Sequence, residues 1–432
     1  MRTLFASMVV LCWLASGVAL AELPAPDAWQ PNWLTLQDDQ TSDDEEPKND
    51  APKIACWLDK EMIAEGWLQL SNDASMFGWQ ATNDEGWTLC ANHQMYYEGQ
   101  EKGWLMTTTE WTDFELVVDY TCNDEQVNSG VFIRSKLEPE NPTSDCYEVN
   151  IAPESNDYPT GSIVGHARGK YEPDQLASLG GKDNQVHRLE ITANGPQIVV
   201  KRDGKLVCDY VDNSPAPRLK GRIGLQYKEG VVHFRRVLLK PLNTKPIFNG
   251  KDLTGWKTDL AGPAEFSVTK AGEMQVLGGS GQAESTAVYG DFVLQYECKV
   301  NGDGANSGVF FRSIPGDKMN GYECQVQNTY VDGDRTQPKD CGTGGIYRRV
   351  NARLVNASDH EWFTTTVHAD GPHIGTWVNG LQVVDWTDTR KPDDNPRRGL
   401  RTEAGTFCLQ AHDPTTNLLF RNMRVQSMIT QH

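Results

Sequence analysis

Basic residues are the first shortage: Lys and Arg total 40 against 59 Asp and Glu, leaving a formal charge of −19 and a pI near 4.9. Nucleic acids and anionic lipid surfaces both need clustered cations, so neither fits as a partner, and a neutral or cationic ligand remains. Beyond the N-terminus there is no apolar run long enough to span a membrane. Cys-x-x-Cys and His/Cys clusters at zinc spacing are missing too, so no metal site and no cofactor are expected. The one exception left open is a calcium ion on loop carboxylates such as Asp332 and Asp334. Amphipathic helical periodicity longer than about two turns is also absent, which argues against helical and α/β architectures.

What is present begins with an address. Arg2 is followed by an apolar stretch from Leu4 to Leu20 that ends in Ala19-Leu20-Ala21, the small-x-small form of a signal-peptidase site. Residues 1–21 are therefore expected to be a cleaved leader, and the protein to be secreted or periplasmic with no membrane span after cleavage. Residues 22–53 read as an acidic spacer, because Asp38–Asp50 (DDQTSDDEEPKND) is a solvated charge run. Losing Cys12 with the leader leaves nine of ten cysteines, an odd number. Most lie in strand-like runs and none is kept in both copies of the repeat described next, so buried thiols are expected rather than a disulfide framework.

The chain repeats itself. Asp113-Phe114 followed by NSGVFIRS (128–135) matches Asp291-Phe292 followed by NSGVFFRS (306–313) at one constant offset. The order continues through Tyr147-Glu148 and Tyr322-Glu323, Asp203-Gly204 and Asn379-Gly380, and Leu225-Gln226 and Leu409-Gln410. Two domains follow, 54–242 and 245–428, joined by a short Pro-containing link. Within each, period-two runs alternate with Asp-Gly and Asn-Gly turns, and TWVNGLQVVDW is a hairpin in which Asn379-Gly380 supply the positive φ values of a type I′ turn. The expected fold class is all-β, as two tandem sandwiches.

Alternation also sorts the polar residues, because side chains i and i+2 share a face. In the second copy it sends Val309, Phe311, Tyr322, Cys324, Val326, Phe407, Leu409 and Ala411 to the core. Arg312, Glu323, Gln325, Gln410 and His412 then fall on the opposite face, where they form one polar patch if their strands are neighbours. Sheets often have one wet face. Solvated faces, however, favour Thr, Lys and Ser, whereas this set is built for directional hydrogen bonding, so it reads as a ligand site. The Gly inside NSGVF[IF]RS weakens a strand unless a bulge or a close contact needs it. Trp79, Trp256, Trp362, Trp377 and Trp386 could stack on sugars, but most are expected in the core.

FNGKDLTGW, YGDFVLQYE, NSGVFFRS, GYECQVQN, TGGIY, the VNG hairpin and LQAHD followed by LLFRNMRV together resemble the 3-keto-disaccharide hydrolase domain across nearly all of the second copy. The resemblance implies a concanavalin-like jelly roll and a carbohydrate substrate, a glycoside oxidised at C3. A C3 ketone acidifies the C2 proton, so a base can remove it and the enolate can expel the C1 oxygen. On this reading His412 is the base, Glu323 its rival or orienting partner, and Arg312 the cation at the enolate. Gln325, Gln410 and Tyr347 position hydroxyls. An ordinary retaining glucanase is disfavoured, since it needs two carboxylates about 5 Å apart and the strand Glu323-x-Gln325-x-Gln327 offers amides where the second acid would stand.

The first copy is a looser match. It keeps Arg134, Glu148 and Gln226 as substrate-binding candidates, but Asn150, Val164 and Lys228 replace Gln325, Tyr347 and His412. It therefore reads as a degenerate binding or scaffolding domain. The alternative for the whole chain is a non-catalytic glycan-binding or surface-assembly protein made of two lectin-like sandwiches.

Overall fold

The computed structural model describes Leu23, Ala25, residues 32–35 and residues 53–429, apart from 83–85, 91–93, 100, 123–125, 177–178, 180–184 and 261. The expected leader and most of the acidic spacer lie outside the described residues.

The chain folds as expected for its period-two pattern. Each copy has a five-stranded antiparallel front sheet. In the second copy its order is Trp256–Lys257, Gly281–Ser285, Thr406–Ala411, Ser307–Ser313, Tyr322–Val326. In the first it is Trp79–Ala81, Gly103–Trp111, Gly221–Glu229, Asn128–Ser135, Tyr147–Ile151. Behind each front sheet lies a second sheet, and the apolar side chains sent inward by alternation fill the space between. Val309, Phe311, Tyr322, Cys324, Val326, Phe407, Leu409 and Ala411 all belong to the second core, together with Phe292, Leu294, Tyr296 and Cys298. Helix is limited, among the described residues, to Lys60–Glu65 and Pro173–Leu176, and no described helix is long and apolar enough to cross a membrane. Trp79, Trp256 and Trp377 are core residues, and the indoles of Trp79 and Trp256 donate to the carbonyls of Leu70 and Ile247 in the same way. Of the nine described cysteines six are buried.

The two rear sheets merge into one, because Leu68–Gln69 of the first copy meets Leu381–Thr387 of the second. Asn379 and Gly380 have φ of +48° and +75°, as the hairpin turn requires. The Gly380 carbonyl accepts from the Gln69 amide, and a Cβ on Gly380 would lie 2.3 Å from Leu58. Val293, Trp377 and Met428 complete the first core. Lys220 pairs with Asp370 at 2.6 Å, and the Gln426 amide donates to the carbonyls of Asp113 and Leu242. His368 is fully buried at this junction, where its Nε2–H donates to the Glu110 carbonyl, and burial lowers its pKa to about 4. Two repeats thus share one continuous body.

Candidate functional site

On the outer face of the second front sheet the side chains fall into rows set by the strand register. Gly308 lies opposite Gln325, and Phe310 opposite Glu323. On the other side of that strand Phe310 lies opposite Cys408, and beyond it Gln410 lies opposite Gln282. The face is polar but almost dry: Glu323 is 6 % exposed, Gln410 6 % and Gln325 0 %. Alternation therefore brings Glu323, Gln325 and Gln410 together as expected. Loops rather than solvent cover them.

Glu323 is the chemically distinctive member. Its side chain lies flat across Gly308, where a Cβ would stand 2.7 Å from both its Cγ and its Oε1. That contact accounts for a glycine inside a strand that otherwise has no use for one. Burial pushes the carboxyl pKa up to about 7, although Arg397 and His412 pull it down. Removing a charge from water costs more than these partly exposed neighbours return. The Arg397 guanidinium stands 3.6 Å from Glu323 Oε2 and over the Phe310 ring. The Gln325 amide donates to Asp340 at 3.0 Å, and Asp340 also takes the Asn306 amide. The Gln410 amide reaches only Met319 Sδ, at 3.5 Å. The side-chain carbonyls of Gln325 and Gln410 are buried without a partner. Such orphaned acceptors are costly in a finished core.

Arg312 is corrected. Strand alternation places it on the outer face, but a bulge interrupts the pleat between Phe310 and Ser313, and Arg312 itself has φ +47°. Its guanidinium turns inward and is fully buried. It donates to the carbonyls of Gly371 and Arg401 and pairs with Asp291 at 2.7 Å. Asp291 also accepts from the Gly371 amide, so arginine, aspartate and the turn form one clip. Arg134 is corrected for the same reason: with φ +50°, it bonds Asp113 and the carbonyls of Thr112, Gly195 and Arg218. Both guanidiniums are fully buried and spend their donors inside the fold. The backbone across each bulge must be glycine, since a Cβ at Gly405 or Gly221 would lie 2.4 Å or 2.3 Å from the arginine carbonyl carbon.

His412 stands one residue beyond its strand, 44 % exposed at the side chain, with Nδ1 2.8 Å from Asp413. It is close enough to influence Glu323 but shares no hydrogen bond with it. Tyr347 is half-buried beside the Arg348 guanidinium, and its amide donates to the Glu323 carbonyl. Asp334, one of the candidate calcium ligands, spends its carboxylate on Thr336 and Gln337 in its own turn. Among the described residues no group of three or more His, Cys, Asp or Glu could hold a metal ion.

The first copy repeats the arrangement. Glu148 lies across Gly130, where a Cβ would stand 3.1 Å from its Cγ and Oε1, and burial pushes its pKa up to about 7 against the pull of Lys228 and Gln226. Val164 holds the backbone place of Tyr347, its amide donating to the Glu148 carbonyl. Alternation missed Arg397 and Asp340, which reach the site from loops.

A tandem pair of lectin-like sandwiches is the architecture of proteins that act on or bind carbohydrate, and a family match agrees with it. The model of the 3-keto-alpha-glucoside-1,2-lyase-like domain matches residues 66–240 and again 243–426, and the chain belongs to that family. No curated protein matches it. Among solved structures it is similar to a protein of Parabacteroides distasonis ATCC 8503 described as a candidate glycosyl hydrolase. That match has 23 % identity, covers 43 % of this chain and 100 % of that one, and has a TM-score of 0.36. It is also similar to a carbohydrate-binding module of Bacillus subtilis, with 17 % identity, 38 % and 95 % coverage, and a TM-score of 0.29.

Proposed function

We propose that the second sandwich cleaves 3-keto-α-glucosides by elimination across C1 and C2, with Glu323 as the base. The observation that carries this reading is the Glu323 carboxyl: buried across Gly308, with a pKa near 7, it can take a proton at neutral pH and hold it. Glu323 removes the C2 proton, and the electron pair of that C–H bond forms the enolate of the C3 ketone. The enolate collapses to a C1–C2 double bond as the C1–O bond breaks, and the leaving oxygen takes a proton to depart as an alcohol. His412, at the exposed rim, supplies that proton. Water adding across the double bond then makes the net reaction a hydrolysis. Arg397 replaces Arg312 as the cation at the developing enolate, since it stands at the carboxyl and is open to solvent. Gln325 and Gln410 accept hydrogen bonds from the sugar hydroxyls through their unpartnered carbonyls.

The test is turnover of methyl 3-keto-α-glucoside by the full chain. Glu323→Gln should lower kcat/KM by roughly 10²–10⁴-fold, the range of a lost general base, and His412→Ala by less. Undiminished turnover in Glu323→Gln overturns the reading.

A further inference from the structure

The first sandwich differs from the second at one place that replacement of the histidine does not explain. In the second copy Gln282 lies opposite Gln410, and its amide group is used up in holding the covering loop, accepting from the Met319 amide and donating to the Asp317 carbonyl. In the first copy the residue opposite Gln226 is Trp104. Directly opposed residues on adjacent strands share a face, so the indole lies on the outer face beside Gln226. The row continues across the sheet from Gln226 to Gly130 and from Gly130 to Asn150. Trp104 is half-buried and stands outside the hydrophobic core.

Three polar atoms along this row are buried without partners: the Trp104 indole N–H, the Gln226 side-chain carbonyl and the Asn150 side-chain carbonyl. Gln226 and Asn150 are themselves more than nine-tenths buried. One donor and two acceptors beside an aromatic face match a pyranose ring, which offers C–H bonds on its flat side and hydroxyls, each both donor and acceptor, on its edge. An ordinary core would have paired or excluded these atoms. The exposed Lys102 ammonium, 5.3 Å from the indole centroid, is the present neighbour of the ring. A surface cation–π contact is worth only about 0.5–1 kcal/mol, so a sugar can displace it.

We infer that the first sandwich carries a second, separate sugar site, in which Trp104 stacks on a pyranose ring while Gln226, Asn150 and Glu148 hydrogen-bond its hydroxyls. The inference rests on the reading of this chain as one that handles glycosides, and it assigns to the copy without the histidine a binding task of its own.

Calorimetric titration of the full chain bearing Glu323→Gln, which silences turnover, with methyl α-glucoside and methyl 3-keto-α-glucoside tests it. Two equivalents should bind at least one of these sugars. Adding Trp104→Ala should weaken one of the two events at least tenfold, to an apparent single equivalent, while Trp104→Phe, which keeps an aromatic face, retains both. A single equivalent that is lost with Gln410→Ala and unaffected by Trp104→Ala overturns the inference and leaves the catalytic reading standing. Two equivalents falling to one with Trp104→Ala, from a wild-type chain with no turnover, supports it while the catalytic reading fails. No binding of either sugar overturns it. An unchanged thermal midpoint in Trp104→Ala separates lost binding from lost folding.

Discussion

The two sandwiches agree where the chain must hold itself together and differ across their outer faces. Asp113, Arg134 and Gly195 in one copy, and Asp291, Arg312 and Gly371 in the other, make the same clip between the front sheet and a rear turn. Tyr147 with Asp212 and Tyr322 with Asp388 make a second one. Along the outer faces Glu over Gly, the glutamine at 226 and 410 and the phenylalanine at 132 and 310 are kept. Trp104 stands for Gln282, Asn150 for Gln325 and Lys228 for His412. A repeat therefore marks scaffold more reliably than chemistry, and the departures from it fall where the two sites are proposed.

The sharpest way to break this comparison is through the arginines. Arg134→Ala and Arg312→Ala should each cost about 3–5 kcal/mol in urea unfolding, because each removes a fully buried guanidinium, strands the carbonyls it served and leaves a half-buried aspartate without its cation. Lysine should not rescue either variant, since one ammonium cannot reproduce the fork that reaches three carbonyls and a carboxylate. An Arg312→Ala chain that folds normally and loses only turnover would return Arg312 to the site.

The second contrast is between the carboxyls. Glu323→Gln should abolish most turnover while Glu148→Gln changes it by less than about threefold, as the first copy has neither His412 nor Arg397. A loss of roughly 10²-fold or more in Glu148→Gln would mean that both copies catalyse.

Both carboxyls should also be visible in stability. Each is raised from 4.5 to about 7 on folding, so between these pH values the unfolded chain releases a proton that the folded chain keeps. Stability therefore falls as pH rises through this window, by roughly 3 kcal/mol for each buried carboxyl. His368 works in the opposite direction: lowered from 6.5 to about 4, it costs stability as pH falls through that range. The wild-type curve blends these opposing slopes. Subtracting the unfolding free energy of Glu323→Gln or Glu148→Gln, measured from pH 4.5 to 8, isolates each carboxyl, and a flat difference would refute its burial.

How much of this was legible in the sequence depends on where the pleat is regular. Glu323, Gln325 and Gln410 were readable because each sits on an unbroken stretch whose alternate residues enter the core. Arg312 was misread because its bulge shifts the alternation by one residue, and the only trace of that bulge is the glycine kept at 221 and 405. Nothing periodic marks Arg397. It lies in a loop where 17 positions separate Asp388 from Gly405, against nine between Asp212 and Gly221, so the repeat offers it no counterpart. Trp104 stayed hidden because Trp104, Leu105 and Met106 are all apolar, which makes inside and outside indistinguishable by alternation. The fused rear sheet was beyond reach, since it depends on a contact between Leu381 and Gln69, more than 300 residues apart.

The smallest effect separates the copies most finely. A methyl at Gly308 would stand 2.7 Å from Glu323 Cγ and Oε1, whereas one at Gly130 would stand 3.1 Å from the same atoms of Glu148. In both cases the obstacle is a side chain, which can swing away, so neither Gly308→Ala nor Gly130→Ala should cost more than about 1–2 kcal/mol of stability. A swung carboxyl is a more hydrated one, however, and hydration is what separates a pKa near 7 from an ordinary one. Gly308→Ala should therefore shift the acid limb of the kcat/KM profile toward lower pH and reduce turnover several-fold, with the thermal midpoint nearly unchanged. Gly130→Ala should leave that profile where it is, because the carboxyl it disturbs belongs to the proposed binding site. An acid limb that stays in place in Gly308→Ala would mean that the base is not the carboxyl lying across this glycine.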